Sequence, residues 1–204
     1  SLGRELTKIL KGKGAKIIGF THSKGLNIEN SKNDPDRWVT WDQGKEEMLD
    51  EELKEIDILI LNHGINPKGI ENEEYTSINK SLDVNAISTW RLFQRFQKQS
   101  KIIKRSNKKK EVWINTSEAE IFPAFSPSYE VSKRLIGQLI SMEWNKSKSP
   151  NDTQPIRIRK IILGPFKSKL NPIGIMTPGL VAKQVVLQAE FGINLIIFSP
   201  NPLT

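Results

Sequence analysis

The sequence predicts an α/β protein built on a doubly wound parallel sheet. Short apolar runs alternate along the chain with longer amphipathic segments, the pattern of successive βαβ units. Several runs close on Gly, Asn, Thr or Ser. In this architecture ligands bind beyond the carboxyl ends of the strands, so those closing residues are where chemistry is sought.

Each element has its own reason. Gly3 to Lys13 reads as a helix because Leu2, Leu6, Ile9 and Leu10 recur at helical spacing, with Gly12 and Gly14 ending it. Lys16 to Thr21 and Trp38 to Trp41 read as short strands, and Lys45 to Glu55 as a polar helix. Asp57 to Leu61 is an apolar run bounded by Asn62, His63 and Gly64, hence a buried strand. A long helix is expected from about Ser77 to Ile103, then a strand over Glu111 to Asn115. The helix carrying Tyr129 follows a proline-containing loop. Ile156 to Leu163 is a strand ending at Gly164 and Pro165; Thr177 to Phe191 is the last helix and Ile193 to Phe198 the last strand. With no internal repeat and no linker, residues 1–204 read as one Rossmann-like domain.

Composition narrows the function. The chain has no cysteine, so disulfides and thiolate metal sites are excluded. Its two histidines, His22 and His63, have no ligand-spaced partners. No apolar stretch is long enough to span a bilayer, and no secretory signal is visible at Ser1. A cytoplasmic location is expected, with membrane-proximal association compatible with a chain that continues past Thr204. The net charge is +8, and much of it lies between Lys98 and Lys110. That run suits nucleic acid or anionic lipid, or simply a solvated helix end. Without interleaved aromatic residues for base stacking, no nucleic-acid partner is expected. Salt-sensitive DNA binding lost on replacing Lys108, Lys109 and Lys110 would say otherwise.

The strand ends carry the candidate ligands. Thr21, His22, Ser23 and Lys24 stand where a dinucleotide fold meets the adenosine ribose. They include no acid for a 2′-hydroxyl, and hydroxyls with a lysine suit a 2′-phosphate, so NADP is favoured over NAD. The bland alternative is a polar turn. Asp42 is a candidate acceptor for an adenine amino group. Gly64 would let a ligand approach the backbone after Asn62. His63 could be a base, although no carboxylate is spaced to orient it. Thr116 and Ser117 put hydroxyls one loop before Tyr129.

Tyr129 and Lys133 are four residues apart and share a helix face. An ordinary tyrosine titrates near pH 10. A fixed ammonium close by favours the phenolate, and a tyrosine so activated can exchange a proton with a carbonyl/alcohol pair. Taken alone, the pair could equally be one aromatic and one solvated lysine on a surface helix.

Together these parts resemble the short-chain dehydrogenase/reductase family. The matching pieces are Leu61-Asn62-His63-Gly64 at a strand end, Asn85 in the long helix, Ser117, Tyr129-x-x-x-Lys133, and the turn from Gly164 to Ser168. They run in the family's order over nearly the whole chain. The resemblance implies that Tyr129 is the acid/base and that Lys133 holds the nicotinamide ribose. It implies that Ser117 binds the substrate oxygen and Asn85 supports a water relay to Lys133. Gly3, Thr21, His22, Ser23, Asp42, Asn62, Gly64, Gly164, Pro165, Phe166 and Ser168 would join Tyr129 and Lys133 around NADP or NAD. A homodimer or tetramer is expected by the same resemblance. Departures exist. Ser1, Leu2 and Gly3 match only the tail of the family's Gly-rich loop, so the first, central strand is expected to be missing. His63 stands for the usual alanine. The family's serine spacing lands on Thr116, one residue before Ser117.

The substrate is expected to be a small carbonyl or alcohol, apolar or lipid-like if Ile121 to Phe125 line its pocket; those residues could instead pack on the following helix. The segment from Lys169 to Met176 is a short candidate lid. The competing function is a catalytically idle dinucleotide-binding sensor or scaffold.

Overall fold

The computed structural model describes residues 1–22, 34–67, 74–102, 109–146 and 156–201. Helix α1 spans Leu2–Gly12. Strands β1 (Ile18–Thr21) and β2 (Arg37–Thr40) follow. A 3₁₀ turn over Glu46–Leu49 runs into α2 (Asp50–Glu55), where one polar helix was expected. Strand β3 is Ile58–Leu61. The long helix is real but not uniform: α3 (Glu74–Ser81) and α4 (Thr89–Ile102) are joined by a widened π segment over Leu82–Ser88. Then come β4 (Lys110–Asn115), a 3₁₀ turn at Glu118–Glu120, and α5 (Pro127–Lys146). Strand β5 (Ile156–Leu163), α6 (Pro178–Glu190) and β6 (Leu195–Phe198) complete the described chain.

All strand pairs are parallel, as expected. The four-stranded sheet has the order β3-β4-β5-β6, and β1 pairs with β2 in a separate two-stranded sheet. Side chains on β3 and β4 alternate between two cores, as strand geometry requires. Leu59, Leu61, Val112 and Ile114 join Phe93 and Phe96 of α4 and Ile136 and Ile140 of α5. Trp113, Ile161 and Leu163 join Leu2 and Leu6 of α1 and Val181, Val185 and Val186 of α6. The sheet is therefore covered on both faces. The two sheets share one of these cores, since Trp41, Phe20 and Val39 pack with Leu59 and Leu61, although no ladder joins β1 to β3.

Strand β5 carries two buried cations, and both are answered. The Arg159 guanidinium grips Glu111 through Nε at 2.7 Å and Nη2 at 2.9 Å, and donates to the Ile193 carbonyl at 2.6 Å. Lys160 Nζ stands 2.6 Å from Glu120 Oε1, with Ser141 Oγ at 2.9 Å and the Gly137 carbonyl at 3.2 Å. Gly137 is required here, because a Cβ would fall 2.3 Å from Glu120 Oε2. Gly137→Ala is expected to destabilise by about 1–3 kcal/mol through overpacking, read as a lower thermal midpoint.

Candidate active site at the carboxyl edge

The segment leaving β3 meets the π segment and α5 at one point. Asn85, almost fully buried, clamps the backbone of Ile65: its Oδ1 accepts from the Ile65 amide at 2.7 Å and its Nδ2 donates to the Ile65 carbonyl at 2.9 Å. The same Nδ2 donates to Ser132 Oγ at 2.9 Å, and that hydroxyl donates to the Tyr129 carbonyl at 2.7 Å. A Cβ on Gly64 would lie 3.1 Å from Asn85 Oδ1 and 3.9 Å from Lys133 Nζ. Asn85, Gly64, Tyr129 and Lys133 are thus brought together as the sequence predicts. A π turn widens the helix by one residue and is frequent at functional sites; here it carries Asn85.

Tyr129 and Lys133 lie on the same face of α5, with the ammonium 5.6 Å from the centre of the phenol ring. Lys133 is buried, and its one hydrogen bond among the described residues is a long contact to the Asn115 carbonyl at 3.5 Å. A buried ammonium has three donors to satisfy, and this one has donors to spare. Asn115 Oδ1 and Asn66 Oδ1 are buried acceptors without a partner among the described residues. Both belong to segments leaving carboxyl ends, those of β4 and β3. Buried polar groups left open in this way call for a ligand or water.

The two candidate hydroxyls separate cleanly. Thr116 is buried and donates to the Ile161 carbonyl at 3.1 Å, so its hydroxyl is committed to β5. Ser117 is half-buried and, among the described residues, its hydroxyl accepts from the Ala119 amide at 3.2 Å and donates to none.

His63 is placed against the base reading. Thr89 Oγ1 lies 3.2 Å from its Nε2, and the backbone of Val84 hydrogen-bonds the ring as well. Burial, then the nearby Lys133 ammonium and His22, push its imidazole down to about 4, against the opposing pull of Val84. It therefore stays neutral at physiological pH and ties Val84, inside the π segment, to Thr89, just beyond it. Because the folded imidazole takes its proton later than the unfolded one, this stability is present above pH 6.5. It is lost as pH falls from there towards 4, and amounts to at most about 3 kcal/mol. Thermal midpoints should drop more steeply over that window in the wild type than in His63→Gln; parallel curves would contradict the assignment.

The remaining predicted residues ring this centre. Gly3, at the first turn of α1, faces Asn62: its Cβ would sit 3.1 Å from Asn62 Nδ2. This puts the start of α1 at the carboxyl edge. His22 Nδ1 is 3.0 Å from the Trp41 carbonyl, and its ring packs on Trp41 with centroids 4.0 Å apart. Thr21 ends β1. Asp42 is 3.7 Å from Lys45 in an ion pair. Ser23 lies outside the described residues, as does Lys24. Gly164 packs on Ser199. The Pro165 carbonyl accepts from Ile175 at 3.0 Å, Phe166 bridges to Met176, and Ser168 Oγ accepts from Asn171 at 3.1 Å. The basic run loses one member to structure: Lys110 Nζ donates to the Lys54 carbonyl at 2.7 Å and sits over the Phe96 ring. Lys108 lies outside the described residues.

Sequence reasoning missed Ser132, Asn66 and Asn115. Ser132 had a signal, since it stands three residues beyond Tyr129 on the helix side that faces Asn85. Asn66 and Asn115 had only their positions after apolar runs.

No family model matches the chain. It is 41% identical over 204 residues to a monoglucosyldiacylglycerol epimerase of Synechocystis sp., covering 99% of this chain and 47% of that protein. The chain thus spans about half the length of the curated relative it matches. Among solved structures, a short-chain dehydrogenase from Burkholderia cenocepacia J2315 in complex with NADP superposes with a TM-score of 0.78 at 17% identity, over 97% of this chain and 83% of that one. A short-chain dehydrogenase from Sphingobium yanoikuyae in complex with NADPH gives 0.76 at 13% identity, covering 100% and 85%. A 4-hydroxyisoleucine dehydrogenase complexed with NADH and succinate gives 0.74 at 20%, covering 97% and 92%. The fold is that of these dehydrogenases.

Proposed function

We propose that this chain is the nucleotide-binding and catalytic core of a short-chain dehydrogenase/reductase. It would interconvert an alcohol and a carbonyl on a sugar-bearing lipid, using NADP or NAD. The observation that carries this reading is the Asn85–Ser132–Tyr129 chain beside a buried, under-coordinated Lys133 at the carboxyl edge of a parallel sheet. An idle sensor has no need of that assembly.

The residues present fit a dinucleotide. Lys133 has unused donors for ribose hydroxyls, Gly64 leaves room beside it, and Asn66 and Asn115 offer open acceptors. The start of α1 brings backbone amides of a helix N-terminus to the same edge, a favourable place for phosphate. Thr21, His22 and Ser23 favour NADP by their lack of an acid. A bound nicotinamide would supply reversible hydride transfer.

The chain's own residues do the rest. Tyr129 passes a proton to the substrate oxygen on reduction and takes it back on oxidation. Lys133 holds positive charge beside the phenol. Ser117 donates to the same substrate oxygen, where negative charge develops. Asn85 fixes Ile65 and, through Ser132, the first turns of α5, so that the tyrosine and lysine keep their register. For an epimerisation like that in the relative's name, one carbinol centre is oxidised and then reduced from its other face. The two half-reactions balance without an outside oxidant. The deciding experiment follows deuterium at the carbinol carbon of a monoglucosyl lipid incubated with the protein and NADP. Deuterium is expected to pass through the nicotinamide, either returned to the same carbon or lost with released cofactor, and turnover should require the nucleotide; inversion that proceeds with no nicotinamide present would sink the reading.

A further parallel strand between β1 and β3 would make one continuous sheet, as their shared core and unjoined ladders suggest. The same reading proposes a homo-oligomer through the exposed Val131 and Met142 of α5, checked by sedimentation velocity.

A further inference from the structure

We infer that the mouth of this site is an interfacial surface that seats on an anionic lipid bilayer. The inference rests on the glycolipid reading above and adds the surface that would deliver such a substrate. Two loops leave the carboxyl ends of the hydrogen-bonded neighbours β4 and β5. The first, residues 116–126, presents Phe125, whose side chain is fully exposed at 103%. It does not pack on α5. The second, residues 164–177, presents Ile173 and Ile175 at 79% and 72% exposure.

This exposure does not come from a lack of structure. The second loop is pinned by bonds from Ile175 to the Pro165 carbonyl, Lys167 to the Met176 carbonyl, and Ser168 to the Asn171 carbonyl. At Gly174 a Cβ would fall 2.1 Å from the Phe166 backbone, so the chain passes where only glycine fits. A loop held this firmly still turns aliphatic side chains outward, and grouped apolar exposure of this kind marks an interaction surface.

Charge selects the occupant. Lys167 and Lys169 are exposed in the same loop, with no ion pair among the described residues. The carboxylates of the first loop are already held: Glu118 by Ser199 and Asn201, Glu120 by Lys160. Apolar groups with cations and no free carboxylate match an anionic interface. No helix among the described residues is long and apolar enough to cross a membrane; the two loops would lie against the bilayer surface. The lipid headgroup would enter the mouth while its tails stay in the bilayer.

The test is co-sedimentation of the protein with phosphatidylcholine vesicles, with and without phosphatidylglycerol, at low and high salt. NADPH binding is followed in parallel on every sample. The wild type is expected to bind the anionic vesicles at least about tenfold better than the neutral ones, with the preference lost in high salt. Phe125→Ser with Ile173→Ser and Ile175→Ser should lower binding about tenfold or more, and Lys167→Gln with Lys169→Gln should remove the salt dependence. Both variants should keep wild-type NADPH affinity, which shows that they fold. Wild-type protein that binds NADPH but not vesicles would overturn the surface and leave the dehydrogenase reading standing. Equal vesicle binding by the triple variant would overturn it too. Vesicle binding without NADPH binding would uphold the surface and remove the dehydrogenase reading.

Discussion

Tyr129→Phe is expected to lower kcat by about 10²–10⁴-fold, the usual range for losing a positioned proton donor, with cofactor affinity nearly unchanged. The phenol oxygen is the only group removed, and it makes no hydrogen bond among the described residues. The residue's backbone carbonyl, which accepts from Ser132, is kept. The result separates chemistry from folding: thermal midpoint and NADPH titration should match wild type while turnover collapses. Full turnover in Tyr129→Phe would remove Tyr129 from the reaction. Asn85→Ala should behave differently. It strips three hydrogen bonds from a buried clamp, so stability and turnover should fall together.

The second large effect lies beneath the site. Lys160 and Glu120 are both 8% exposed and 2.6 Å apart. Breaking a buried pair by removing one partner costs about 3–5 kcal/mol, because the other charge stays buried alone. Lys160→Met is expected to destabilise by that amount. Glu120 already has one buried oxygen without a partner, so little can compensate. The 3₁₀ turn that holds Glu120 begins one residue after Ser117, so turnover should fall as well. Lys160→Met with Glu120→Leu should recover most of the stability, since an apolar pair of similar volume is often neutral. Denaturant midpoints of the two variants check this; equal losses would show that the pair is not coupled.

Much of the fold is legible in the sequence because it depends on local pattern. The amphipathic spacing of Leu2, Leu6, Ile9 and Leu10 marks α1, and apolar runs with polar ends mark β3 and β4. What escapes depends on partners distant in the chain. Arg159 and Lys160 sit inside a buried strand only because Glu111 and Glu120 answer them from other elements. The π segment follows from Asn85 reaching Ile65 and His63 reaching Thr89 and Val84, contacts that no helical periodicity reports. At the candidate site, the Tyr129 and Lys133 spacing carries weight only together with Asn62, Gly64, Asn85 and the turn from Gly164 to Ser168, taken in order along the chain. Ser117 is already preferred to Thr116 by resemblance, although the family's spacing lands on Thr116; the hydrogen bond from Thr116 to Ile161 is the physical support that the sequence cannot supply. The outward turn of Phe125 could not be told from packing on α5, because an apolar loop residue reads the same in either setting.

The most direct measurement is a fluorescence titration of the protein with NADPH and NADH, run beside Lys133→Met. A saturable rise is expected with the wild type, tighter for NADPH, and weakened about tenfold or more when Lys133 loses its charged head. A wild type that shows no saturable signal with either nucleotide, or a Lys133→Met variant that binds as tightly as its parent, would contradict the assignment of this edge as a dinucleotide site.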